Sequence, residues 1–198
     1  AEAKKRPALG VKVVCISDTH GHHREVKLPE GDILIHAGDF TQYGKEADAA
    51  DFNKWLGEQP HKHKIVVNGN HECNAPWKKK TKEILSNATF LVQDKVSIRI
   101  GENKHVTVYG TQFFWPSADG KNPYFDQIDQ ESDIVVAHGP AKGYVDDGTG
   151  CEALTNRLKI TRPRLLVSGH IHKAHGVETG KGKLGDTIFV NAANCRNG

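Results

Sequence analysis

Apolar residues in this chain come in short unbroken runs, and each run gives way to polar residues of the kinds that bind metals or carry protons. Five such runs stand at VKVVCISDTH (11–20), DILIHAGDF (32–40), KIVVNGNHE (64–72), DIVVAHGP (133–140) and RLLVSGHIH (164–172). Val, Ile and Leu without polar alternation are what a strand covered on both faces requires. Helical patterns fall between several of them. Within residues 46–57, Phe52, Trp55 and Leu56 recur at i, i+3 and i+4 and predict a core-facing stripe. Within 150–160, Leu154 and Leu158 share a face, Thr149 with Glu152 predicts a capping box, and Pro163 follows the end. WKKKTKEIL (77–85) is a shorter, more basic helix candidate.

Strand–helix–strand alternation predicts parallel βαβ units. The middle of the chain differs: KVSIRI, GENK and HVTVYGTQFF alternate with period two and predict a hairpin. GDTIFVNAAN (185–194) supplies one more strand. The expected fold is α/β, with two packed mixed β-sheets flanked by helices.

Composition narrows this picture little. The chain has 198 residues, 37% hydrophobic and 26% charged, the profile of an ordinary soluble globular protein of one domain. Residues 1–10 read as a disordered tail and 11–198 as a single domain. No run approaches 18 apolar residues, so no membrane span is expected, and no signal peptide is seen at the Met-less N-terminus. A formal charge of +3 gives no case for stable nucleic-acid binding. The four cysteines (Cys15, Cys73, Cys151, Cys195) show no CxxC spacing and read as reduced thiols, which with the missing signal predicts a cytoplasmic protein. The twelve histidines are many for this length, and their placement carries the chemistry.

In open parallel sheets, ligands gather outside the carboxyl ends of the strands. Here those ends offer Asp18 and His20, Asp39, Asn70 and His71, His138, then His170 and His172. Oxygen and imidazole donors of this kind suit Zn, Mn or Fe. Residues i and i+2 of a strand point the same way, so DxH and HxH are each expected to present two donors to one place. One such piece means little; five at strand ends of one chain form a pattern.

The series SDTHGH, HAGDFT, VNGNHE, VAHGP and SGHIH resembles the calcineurin-like metallophosphoesterase superfamily. IHAGDFT, DFNKWL, IVVNGNHE, AHGPAKGY and the closing VNAA are similar to the small metallophosphoesterase-domain-containing (class III cyclic nucleotide phosphodiesterase-like) family. The likeness runs from about Val11 to Asn194. It implies an αββα sandwich and two metal ions (Mn, Fe or Zn), with Asp18, His20 and His172 on the first and Asn70, His138 and His170 on the second. Asp39 would bridge them. Two metals about 3.5–4 Å apart bind a nucleophilic hydroxide and the phosphoryl oxygens of an in-line displacement. His170 stands where some relatives lack a histidine, which favours two metals. The resemblance gives His71 the role of stabilising the phosphoryl group or protonating the leaving oxygen, with a loop-holding role as its plain alternative.

The implied activity is hydrolysis of small phosphodiesters, cyclic nucleotides among them. Its rivals are a phosphomonoesterase or protein phosphatase with the same metals, and a scaffold with a vestigial site. The aromatic segment 113–125 offers a stacking wall, with Phe114 and Trp115 as candidate substrate-binding residues, or core packing. His175 is a third such candidate; it would otherwise orient a ligand or lie on the surface. His36 reads as a hydrogen-bonded core group, Cys73 as structural, and the lysines of 78–82 as a solvated face.

Overall fold

Each expected strand forms, but each stops before its candidate ligands begin. The computed structural model describes residues 10–117 and 119–194; nearly all of the expected disordered tail and Cys195 lie outside the described residues. Strands β1 (Val13–Ile16), β2 (Ile33–His36), β3 (His63–Val66) and β4 (Thr89–Phe90) make one sheet in the order β1-β2-β3-β4. The second sheet comprises β5 (Asp94–Arg99), β6 (His105–Thr111), β7 (Ile134–Ala137), β8 (Leu165–Ser168), β9 (Gly176–Thr179) and β10 (Ile188–Asn191), in the order β5-β6-β7-β8-β10-β9. Of the two mixed sheets expected, the six-stranded one is mixed. The four-stranded one is parallel throughout its pairs.

Three apolar layers hold the sandwich. Between the sheets, Ile33, Ile35, Ile65 and Val67 pack on Val106, Val108, Val136 and Val167. Outside the first sheet, α1 (Glu46–Glu58) lays Phe52, Trp55 and Leu56 on Val14, Leu34 and Val66. Outside the second, α4 (Glu152–Thr161) lays Leu154 and Leu158 on Val135, Leu166 and Phe189. All four residues of β2 are buried because alternate side chains enter different layers, which explains its unbroken apolar run. Each fully buried Leu, Ile or Phe contributes roughly 1.5–3 kcal/mol. The predicted hairpin is β5–β6, paired Asp94 to Gly110 through Arg99 to His105.

Two local expectations fail. Thr149 makes no capping box with Glu152: its hydroxyl donates to Asp146 O, Cys151 occupies the cap position, and Glu152 pairs with Lys142. The Asp146 carboxylate, accepting from the Gly143 and Gly150 N–H groups, holds the loop ahead of α4 in its place. Residues 77–85 do not form one helix. A 3-10 turn at Lys78–Lys80 gives way to the single turn α3 (Thr81–Ile84), and the Thr81 hydroxyl donates back to Lys78 O at the break.

The two sheets join where the site lies. Just past β1, Ser17 N–H donates to Ala192 O, and Asn194 N–H donates to Ser17 O, tying the first sheet to the end of β10. No helix among the described residues is long and apolar enough to cross a membrane.

Candidate metal centre

The donors converge through turns, not through strand alternation. Asp18, His20, Asp39 and His170 all have positive φ (56°, 44°, 55° and 66°), so past β1, β2 and β8 the chain turns through left-handed residues. Backbone bonds hold these turns: Asp18 N–H donates to Gly38 O, and His20 N–H to Asp39 O. Asp18 and His20 do share one donor group as the DxH spacing predicts, but a left-handed turn and not strand alternation brings them together. The two histidines of HxH fall into different groups, His172 with Asp18 and His170 with Asp39.

Asp18, His20 and His172 form one cluster, with a donor atom from each within 4.8 Å of the others; Asp39, His138 and His170 form a second. In the first, His172 Nε2 lies 3.1 Å from Asp18 Oδ1 and 3.4 Å from His20 Nε2. In the second, His138 Nε2 lies 3.3 Å from Asp39 Oδ2 and 3.1 Å from Asn70 Oδ1. Asn70 opens the short turn α2 (Asn70–Cys73). His20, Asp39 and His71 make a third overlapping group, which brings His71 to the same cleft.

Glycines before the donors are required by close approach. A Cβ on Gly69 would stand 2.1 Å from Asp39 Oδ1, and one on Gly169 would stand 2.1 Å from Asp18 Oδ2. Each carboxylate occupies the space that a side chain on the next strand end would take.

Hydrogen bonds fix the direction of several rings. His138 Nδ1 donates to Ala37 O at 2.7 Å, so its Nε2 faces the cleft. Tyr43 N–H donates to His71 Nδ1 at 2.8 Å, which assigns the proton of the neutral ring to Nε2, 3.8 Å from Asp39 Oδ2. His36, fully buried, accepts from Gly38 N–H at Nδ1 and sits 3.0 Å from the Thr19 hydroxyl. It supports the loops on either side of the cleft and points at neither cluster.

Charge follows the same arrangement. Burial opposes ionisation of Asp18, but the His138 charge, hydrogen bonds from His172 and Ser17 and the His170 N–H hold it well below the usual carboxylate range. Asp39 is lowered despite burial, chiefly by His138. Burial also opposes a charged His138, yet Asp39 and Asp18 outweigh it and push the ring up to about 9. Burial and the neighbouring His138 lower His170 to about 4. Carboxylates that ionise readily, facing imidazole nitrogens across the same cleft, fit a bound divalent cation, which would take the place of the proton that Asp39 and Asp18 hold on His138. These donors suit the metals expected from the sequence.

Glu72 is the residue that the sequence reading overlooked. Its fully buried carboxylate accepts from Asp39 N–H, Gly69 N–H, Thr41 N–H and the Thr41 hydroxyl, at 2.6 to 2.9 Å. It clamps the turn carrying Asp39 to the turn carrying Asn70 and His71, while burial and Asp39 push it up to about 7. Its place in NGNHE, an acid directly after donor residues, was the available signal.

The proposed substrate residues separate. Phe113 packs on His138 and His170, and Trp115, 66% exposed, stands edge-on to His170 at 5.5 Å. Phe114 turns away to stack on Tyr124, yet it still lines a cavity of about 380 Å³ with Trp115, His138 and His170. His175 is not brought to the cleft; it is exposed and borders a separate groove with Lys12, Leu28 and Asn194. Arg24 is committed to Asp51 and Glu58. Cys73 is partly buried with its thiol pushed up to about 11, chiefly by burial, and the lysines of 78–80 are exposed.

Fold and site together define the class: an α/β sandwich with a candidate metal centre at its strand ends. A family model for calcineurin-like phosphoesterases matches residues 11–174, and the chain belongs to that family of metal-dependent phosphoester hydrolases. It is 34% identical over 211 residues to UPF0046 protein K07C11.7 of Caenorhabditis elegans, across 95% of this chain and 71% of that one. It is 33% identical over 229 residues to Metallophosphoesterase domain-containing protein 1 of Homo sapiens, across 98% and 69% respectively. The solved structure of TT1561 of Thermus thermophilus superposes with a TM-score of 0.64 at 13% identity, covering 93% of this chain and 90% of that one. That likeness shows the fold alone.

Proposed function

We propose that the chain is a dinuclear metal-dependent phosphodiesterase acting on small phosphodiesters, cyclic nucleotides among them. Asp18, His20 and His172 would hold one ion, Asn70, His138 and His170 the other, with Asp39 between them. The observation that carries this reading is the meeting of both donor clusters at one cleft, beside a histidine that belongs to neither. When bound, the ions supply positive charge for the phosphoryl oxygens and activate the attacking water. Manganese is the ion we expect to serve in the assay.

The chain's own residues supply orientation. Asp39 Oδ1 accepts the His71 N–H at 2.9 Å, and Tyr43 N–H fixes the ring from behind, so Nε2–H faces the reacting centre. From there it donates to a phosphoryl or leaving-group oxygen as negative charge develops. The apolar cavity beside His138 and His170 receives the substituent that does not leave, with Trp115 exposed at its rim. A monoester has no such substituent, and its second charge calls for a cation such as arginine; Arg24 is already paired twice.

This predicts that, with manganese added, bis(4-nitrophenyl) phosphate is cleaved with higher kcat/KM than 4-nitrophenyl phosphate. A monoester advantage of about tenfold or more would replace the diesterase reading with a phosphatase.

A further inference from the structure

The loop carrying Tyr43 is over-determined, and it ends in an aromatic ring that the fold does not need. Tyr43 has φ 58°, a left-handed conformation that a bulky residue adopts only under strain. The loop is pinned on both sides. Thr41 bonds Glu72 and accepts from Gly44 N–H at 3.1 Å, while Gly44 O accepts from the Trp77 indole N–H at 2.7 Å. Within that frame the Tyr43 ring lies nearly parallel to the His71 imidazole, centroids 5.3 Å apart and planes 16° apart. It is nonetheless 79% exposed, so it adds little to the core. Glycine or asparagine would take the same backbone with less strain. An exposed aromatic ring held in a strained position over a site histidine points to a ligand.

We propose that Tyr43 is a specificity-determining residue: its ring receives the aromatic part of the leaving group as the ester bond breaks beside His71. This rests on the phosphoesterase reading above and on His71 standing on the leaving-group side. The two exposed aromatics then divide the substrate. Trp115 lies by His170 and the apolar cavity, and Tyr43 lies by His71, so each ring stands against a histidine of a different donor group. Stacking on a ring tolerates any aromatic or heteroaromatic group, so the preference is for flat leaving groups as a class.

The test compares wild type, Tyr43→Ala and Tyr43→Phe, all manganese-loaded, on methyl 4-nitrophenyl phosphate and methyl trifluoroethyl phosphate. Only the first has an aromatic leaving group, and neither has another ring. We expect Tyr43→Ala to lose roughly 5- to 50-fold in kcat/KM on the aryl ester, at least about fivefold more than on the trifluoroethyl ester. Tyr43→Phe should recover most of that loss. Binding of the unreactive phenylphosphonate to the same proteins loaded with diamagnetic zinc, followed by NMR, should weaken in Tyr43→Ala by a similar factor. In the zinc-loaded variant the ¹⁵N spectrum of His71 should still report Nε2–H, because the backbone donor remains. Equal losses on both esters, or a changed His71 tautomer, would overturn the proposal and leave Tyr43 as a support for His71. If wild type cleaves 4-nitrophenyl phosphate but no diester, the diesterase reading fails while the monoester carries the same test of Tyr43. If it cleaves neither, unchanged phenylphosphonate affinity in Tyr43→Ala overturns the inference on its own.

Discussion

Asp39 belongs to two of the three overlapping donor groups, with His138 and His170 in one and with His20 and His71 in the other. One oxygen accepts the His71 N–H, the other faces His138, and its own N–H is held by Glu72. Asp39→Asn keeps the shape and the bond from His71 but removes the charge shared between the two donor clusters. We expect bound metal to fall and turnover to drop by on the order of 100-fold or more; near wild-type turnover with full metal content would dismiss the bridging role. His71 should behave differently, since Tyr43 and Asp39 aim it at the substrate. His71→Ala should keep its metal and lose roughly 10²–10⁴-fold in rate, less for esters with good leaving groups. Metal loss in this variant would make His71 a ligand instead. Residue type and position at a strand end were enough to pick out the side chains that gather here. Glu72 was signalled only by its place after Asn70 and His71, since its bonds to Asp39, Thr41 and Gly69 form in the fold, and the exposure of Tyr43 over His71 has no signal in the sequence.

At the scale of elements, strands were legible from unbroken Val, Ile and Leu, because β2 and β7 are buried on both faces. Where they end was not. The left-handed turns at Asp18, Asp39 and His170 are stabilised by bonds between distant segments, such as Asp18 N–H to Gly38 O, and nothing local announces them. The Thr149 capping box was a sound local reading that lost to Asp146. His36, at the end of β2, gives this scale its test. Burial lowers it to about 3, so the folded protein leaves it neutral while the unfolded chain protonates near 6.5. Between those values the unfolded state binds one more proton, and stability falls as pH drops. The contribution is about 1.4 kcal/mol per pH unit. Denaturation of metal-free protein between about pH 4.5 and 6 should show a slope shallower by about one proton in His36→Gln than in wild type. Identical slopes would mean that His36 already takes its proton in the fold.

At the scale of the molecule, the α/β sandwich was readable from the alternation of elements, but the membership of its sheets was not. β10 enters between β8 and β9, and the bridge from Ser17 to Ala193 closes the two sheets against each other. That bridge joins residues from opposite ends of the chain, and no periodicity encodes it. It matters because it brings Asp18, from the first sheet, against the His170 N–H from the second. The donor clusters are assembled only when both sheets are in place, so the metal dependence we propose would be a property of the whole fold. The most direct test is turnover of bis(4-nitrophenyl) phosphate by one preparation before exhaustive chelation, after it, and after manganese is restored. The account predicts activity, its loss, and its return with about two ions bound per chain; activity fully retained in the metal-free protein would contradict it.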